Sequence, residues 1–187
     1  MENKQLNKQE LRSSKLNKES FKKLNRNNIV IVLDSLKVAH NIGTIFRMSD
    51  AVLAKKVYLC GDTITPPNYK IRKSSVGAER WIDWEYTESI EDLIKELKSK
   101  NSLIISAEVS SNSIDFSKYN SFLNDNLDKS KDIVLIFGRE YDGVSKEALE
   151  LSDLTVHLPI YGMSNSLNVS TVASVLIYKT LEYINSN

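Results

Sequence analysis

The chain has 187 residues, of which 41% are apolar and 26% charged, enough for one domain with a proper core. No run approaches the ~18 uncharged apolar residues of a membrane span. The single cysteine, Cys60, excludes an internal disulfide, and two histidines leave little for a metal site. The net charge of +1 hides a division: residues 1–28 hold eight Lys/Arg against three Asp/Glu, so they carry +5 and leave −4 on the rest.

The first residues lack the apolar stretch of a secretory signal, and a reducing cytoplasm is the expected location. Residues 1–27 read as a basic arm in which Leu6, Leu11, Leu16, Phe21 and Leu24 recur at loosely helical spacing. That spacing predicts one or two helical turns resting lightly on the body, residues 28–187. The cations Lys4, Lys8, Arg12, Lys15, Lys18, Lys22, Lys23 and Arg26 suit either a solvated helix or the capture of a polyanion.

From Asn28 onward, short apolar runs alternate with helix-period segments, the grammar of a mostly parallel α/β sheet with helices on both faces. Strands are expected at Ile29–Leu33, Lys56–Cys60, Trp81–Tyr86, Leu103–Ala107, Ile133–Phe137 and Thr155–Leu158. Trp81–Tyr86 reads as an edge strand, because Asp83 and Glu85 alternate with larger residues. Helices are expected at Ile42–Val52, Ile90–Lys100, Lys146–Leu151 and Leu167–Ile184. The second has an apolar stripe at Ile90, Leu93, Ile94 and Leu97, with Ser89 placed to cap it. The polar stretch 111–132 reads as a surface connection.

Open α/β sheets hold ligands at the carboxyl ends of their strands, and three loops there are unusual. One contains Asn41, Gly43 and Arg47; the next has Gly138 and Gly143 around Glu140; the last runs from Pro159 through Gly162 into a Ser/Asn cluster. Taken singly, Asn41 is readable as a cap, Arg47 as a solvated helix residue and Glu140 as loop charge. No Walker A, GxGxxG or GxSxG sequence is present, which disfavours a phosphate cradle, an ordinary dinucleotide site and a serine hydrolase.

Taken together, "NIGTIFR", "FGREYDG" and "LPIYGMSNSLNVSTVAS" resemble the three motifs of the TrmH (SpoU) branch of the SPOUT RNA methyltransferases. "KSSVGAERWIDW" resembles the stretch between the first two. The resemblance implies a C-terminal deep trefoil knot, a homodimer formed through the last helix, and S-adenosylmethionine as cofactor. It further implies methyl transfer to a ribose 2′-hydroxyl of tRNA or rRNA, with no metal and no membrane. Matched by motif position, Gly138, Leu158, Ile160, Gly162 and Leu167 are the expected cofactor residues. Arg47, Asn41, Glu140, Ser166 and Asn168 are the expected catalytic ones. The last helix carries Lys179 but no arginine, unlike relatives acting on the tRNA D-loop, and Arg139 stands where many members have proline. Two other readings remain: a catalytically inactive protein that binds RNA or the cofactor, and an enzyme methylating a base nitrogen.

Overall fold

The computed structural model describes residues 4–13, 15–128 and 130–186, without the side chains of Lys18 and Lys22; those two expected arm cations therefore lie outside the described set. Among the described residues, seven strands pair in parallel: Asn27–Asp34 (β1), Ala54–Cys60 (β2), Trp84–Thr87 (β3), Leu103–Ala107 (β4), Ile114–Asp115 (β5), Ile133–Phe137 (β6) and Leu154–His157 (β7). Their order is β3-β2-β1-β6-β4-β7-β5, so the strand starting at Trp84 does lie at an edge. Helices span Lys8–Ser13 (α1), Lys18–Lys22 (α2), Ala39–Ala51 (α3), Tyr69–Ser75 (α4), Ile90–Ser99 (α5), Tyr119–Asn126 (α6), Lys146–Leu151 (α7) and Val169–Asn185 (α8).

The uninterrupted apolar runs of β1 and β6 follow from burial on both faces. Ile29, Ile31 and Leu33, with Ile133, Leu135 and Phe137, point into a core shared with α3, α6 and α8. The alternate residues Val30, Val32, Val134 and Ile136 meet Leu93, Ile94 and Leu97 of α5 and Ala148 of α7. Each such side chain stabilises by about 1.5–3 kcal/mol when fully buried, so no polar residue could stand in these positions without a partner. Helices on both faces of a parallel sheet are therefore observed as expected. Among the described residues, no helix is long and apolar enough to cross a membrane.

Several boundaries move, for identifiable reasons. The edge strand is shorter than expected, because a 3-10 turn at Ala78–Arg80 and a bend precede it. Trp81 instead packs edge-to-face with the Phe21 ring at 5.8 Å, and its carbonyl accepts from Arg26 Nη2 at 3.3 Å, so the arm touches the body there. The helix α4 has no apolar stripe to reveal it, since Ile71 is its only buried large side chain; Asn68 caps it by accepting from the amides of Lys70 and Ile71. Nor is the polar stretch 111–132 simply a surface connection. It contributes β5 and α6, and Tyr119 buries its ring in the core with its hydroxyl 2.7 Å from Thr180 Oγ1. Two apolar residues one turn apart, Tyr119 and Leu123, were too few to mark a helix against so many polar neighbours.

α3 lies against α4 at a contact only glycine allows. A Cβ at Gly43 would sit 2.0 Å from Ser74 Oγ and 2.5 Å from the Ile71 carbonyl oxygen. Gly43 is therefore a close-packing residue.

Candidate active site

Two of the three unusual loops, those after β6 and β7, meet the end of β4 at the carboxyl edge of the sheet, and the first is tied to them through Asn41. A cavity of about 340 Å³ opens there, within the usual range for small-molecule sites. Its walls come from Ala107–Val109 after β4, from Phe137–Gly143 after β6, and from Val156–Leu158, Ile160 and Ser166–Val169 around the last crossing into α8.

The loop after β6 closes on itself. Arg139 and Gly143 exchange two backbone hydrogen bonds, at 2.9 and 3.1 Å. A Cβ at Gly138 would meet the Val144 nitrogen at 2.1 Å, and Gly143 has φ +74 with no room beside the Glu108 carboxylate. Both glycines are required to shape the turn. Glu108 braces the turn from β4, accepting from the amides of Val109 and Val144 at 2.8 and 3.0 Å. Its sequence signal is an acid placed directly after a buried strand, and its partner amides are backbone groups that the spacing does not mark.

Glu140 projects from this turn and ties two loops together. Its carboxylate accepts from the backbone amides of Lys37 and Val38 and from Asn41 Nδ2, at 3.3, 3.1 and 3.0 Å. Val38, the N-cap of α3, offers no side-chain cap of its own, so Glu140 supplies the negative charge that a helix N-terminus favours. Asn41 is thus not a cap: it stands inside the first turn of α3. Its Oδ1 in turn accepts from Asn168 Nδ2 at 3.1 Å, and Asn168 Oδ1 accepts from the Ser170 and Thr171 amides to cap α8. One polar chain, Glu140–Asn41–Asn168, therefore links the starts of both helices and all three loops. It explains part of the Ser/Asn cluster before α8. Ser166 lines the cavity beside Asn168.

Of the expected cofactor residues, Gly138, Leu158, Ile160 and Leu167 line the cavity. Gly162 is outside its lining, and a Cβ there would meet open space. Among the expected catalytic residues, Glu140, Ser166 and Asn168 line it and Asn41 bonds to two of them. Arg47 does not line it. Six residues beyond Asn41, it lies roughly 9 Å further along the helix axis, exposed and with no ion pair to a described carboxylate. Glu140 is engaged with α3's N-terminus.

Thiol chemistry is disfavoured on physical grounds. Burial and the charge of Asp34 push the Cys60 thiol up to about 12, so a thiolate is scarce at neutral pH.

Residues 28–178 match the model of the SpoU rRNA Methylase family. The tRNA (guanosine(18)-2′-O)-methyltransferase of Aquifex aeolicus is 29% identical over 152 residues, 81% of this chain and 67% of that protein. The Escherichia coli K12 enzyme of the same name is 25% identical over 81% of this chain, which spans 62% of that relative's length. Among solved structures, the A. aeolicus TrmH/SpoU tRNA modifying enzyme superposes with a TM-score of 0.74, covering 88% of this chain and 82% of that one at 25% identity. The Streptomyces viridochromogenes methyltransferase AviRb in complex with AdoMet shares the fold, with a TM-score of 0.71 over 86% of this chain and 62% of that one at 19% identity.

Proposed function

The chain belongs to the SpoU rRNA methylase family, and from that premise we propose that it transfers a methyl group from S-adenosylmethionine to a ribose 2′-hydroxyl of tRNA or rRNA. The observation that carries this reading is the polar chain Glu140–Asn41–Asn168, which ties the first motif loop to a cavity lined by the other two. The names of the relatives, which specify a guanosine 2′-O position in tRNA, support the reaction type. Reverse-transcription stops at low nucleotide concentration, mapped in a strain lacking the gene, test it: one ribose signal disappears if the reading holds.

The cavity suits the cofactor. Leu158, Ile160 and Leu167 offer an apolar slot for an adenine ring, beside the backbone groups of the turn that Gly138 makes possible. Bound there, S-adenosylmethionine supplies a methyl group on a positively charged sulfur, an electrophile that needs no metal. The residues must then position a weakly acidic hydroxyl and ease the loss of its proton. Arg47 is a poor base, since a guanidinium stays protonated below about pH 12. It stabilises the developing alkoxide or holds a neighbouring phosphate through paired N–H donors. Because Arg47 stands outside its own chain's cavity, the reading includes a homodimer in which a second copy brings Arg47 to the site. The trefoil knot belongs to the same reading: β6 pairs between β1 and β4, and α8 packs back on both β1 and β6. A cytoplasmic location accords with an RNA substrate.

Glu140 acts here as a positioning residue. Glu140→Ala is expected to slow methyl transfer, because the loop after β6 loses its hold on α3. Glu140→Gln keeps one oxygen as acceptor and should retain more activity. Initial rates for the two variants test this, and equal losses would show that the carboxylate's acceptor bonds do not matter.

The arm is read as a non-specific phosphate contact. Leu6, Leu11 and Leu16 stay largely exposed and α1 buries nothing, so the arm does little for the core. Deleting residues 1–24 should weaken RNA binding and flatten its salt dependence, by about 0.7–0.9 in the log–log slope for each phosphate the arm no longer neutralises. Removal of the Phe21–Trp81 ring pair adds a destabilisation of about 0.5–1.5 kcal/mol. RNA titrations at several salt concentrations separate the effects, and an unchanged slope would reject capture.

A further inference from the structure

The helix α4 carries chemistry that its packing does not need. Tyr69, Arg72 and Lys73 follow the i, i+3, i+4 spacing of one helical face, and Val76 follows them as the left-handed C-cap. That face is turned to water: Tyr69 is 78% exposed and Val76 71%, and both cations are exposed as well. The buried side of the same helix is Ile71 and Ser75. Residues 69–76 contain three cations and no acid.

Many cations elsewhere on the body are paired with carboxylates. On the exposed face of α5, Lys95 pairs with Glu91 and Lys100 with Glu96. Elsewhere Lys55 pairs with Asp132 and Lys98 with Asp153. Arg72 and Lys73 have no carboxylate within ion-pair reach among the described residues, nor has Arg47. A concentrated positive face on a body whose residues past 28 carry −4 is not explained by folding. Its placement is also fixed. Gly43 clamps α3 to α4, and Arg47 lies one turn beyond Gly43 on the same side of α3. Asn68 caps α4 at one end; at the other Ser75 binds Glu79 and receives the Gly77 amide.

We propose that this face of α4 docks RNA beside Arg47, with Arg72 and Lys73 on phosphates and Tyr69 stacked on an unpaired base. Phosphates favour unpaired cations, whose counterions they displace on binding. An exposed tyrosine among them suits single-stranded loops, where splayed bases are free to stack; a duplex keeps its bases stacked inside. The surface thus selects for a looped or unpaired target and presents its ribose near the catalytic arginine. The proposal rests on the RNA reading above.

Fluorescence anisotropy tests it, using a labelled RNA stem-loop with an unpaired loop and a blunt duplex of similar length, at several salt concentrations. The double variant Arg72→Gln/Lys73→Gln should weaken both RNAs and lower the log–log salt slope by about 0.7–0.9 for each phosphate left without its cation. Tyr69→Ala should weaken the stem-loop roughly five-fold or more and leave the duplex nearly unaffected. All three side chains are exposed, so melting temperature and affinity for S-adenosylhomocysteine should stay as in the unmodified chain. Unchanged slope and unchanged stem-loop affinity would overturn the proposal, including the case in which the face binds another protein. An unmodified chain that binds neither RNA would remove the RNA reading itself; variants that behave like an RNA-binding, methylating parent would remove this surface alone.

Discussion

Arg47→Ala is expected to lower methyl transfer by on the order of 10²–10³-fold, the usual effect of removing one preorganised donor from a developing oxyanion. Affinity for S-adenosylhomocysteine should remain nearly unchanged. The reason is positional: the arginine is exposed, lacks an ion-pair partner among the described residues and does not line the cavity that would hold the cofactor. Calorimetric titration of S-adenosylhomocysteine beside a rate measurement separates the two effects. A collapse of affinity together with rate would make Arg47 a cofactor ligand or a structural residue.

The second large effect concerns α8. Its buried side, Ala173, Leu176, Ile177, Thr180 and Tyr183, serves the chain's own core. Another stripe, one that includes Val175 and Tyr178, remains 39% and 47% exposed at those two residues. An apolar helix with a second uncovered apolar stripe is what a partner surface requires. Val175→Glu should therefore give a folded monomer, because it places a carboxylate in the interface at a high desolvation cost. If a second copy supplies Arg47, that monomer also loses methylation. Ile177→Glu is a different experiment. Ile177 is fully buried in the chain's own core, so its replacement should unfold the protein, with loss of the side chain alone costing about 2–5 kcal/mol. Light scattering reads the mass of each variant, and a well-folded monomer for the unmodified chain would contradict the interface.

The sheet was legible because burial on both faces leaves unbroken apolar runs; "IVIVL" and "IVLIF" could hardly be anything but central strands. α5 was legible from its Ser89 cap and its apolar stripe. What escaped were elements held by few apolar anchors: α4 rests on Ile71 and α6 on Tyr119 and Leu123. In both, polar residues outnumber the buried ones, so periodicity carried too little signal. At the site, motif positions named loops that the fold ties together, but not what the side chains do there. Asn41 and Asn168 could be named, yet nothing in their spacing showed that they bond to each other across 127 positions. Glu140 could be named from its motif, but the two backbone amides it binds are marked by no sequence pattern. Glu108 was missed as a brace because its partner amides are also backbone groups.

The most direct test of the central claim uses the purified chain, S-adenosylmethionine labelled in the methyl group, and unmodified tRNA and rRNA transcripts. The RNA is digested to nucleosides, which are identified by mass spectrometry. The proposed function predicts label in a 2′-O-methylated nucleoside, absent when the Arg47→Ala protein is used. Label on a base nitrogen would contradict ribose chemistry, and cofactor binding with no labelled nucleoside in any RNA offered would contradict catalysis.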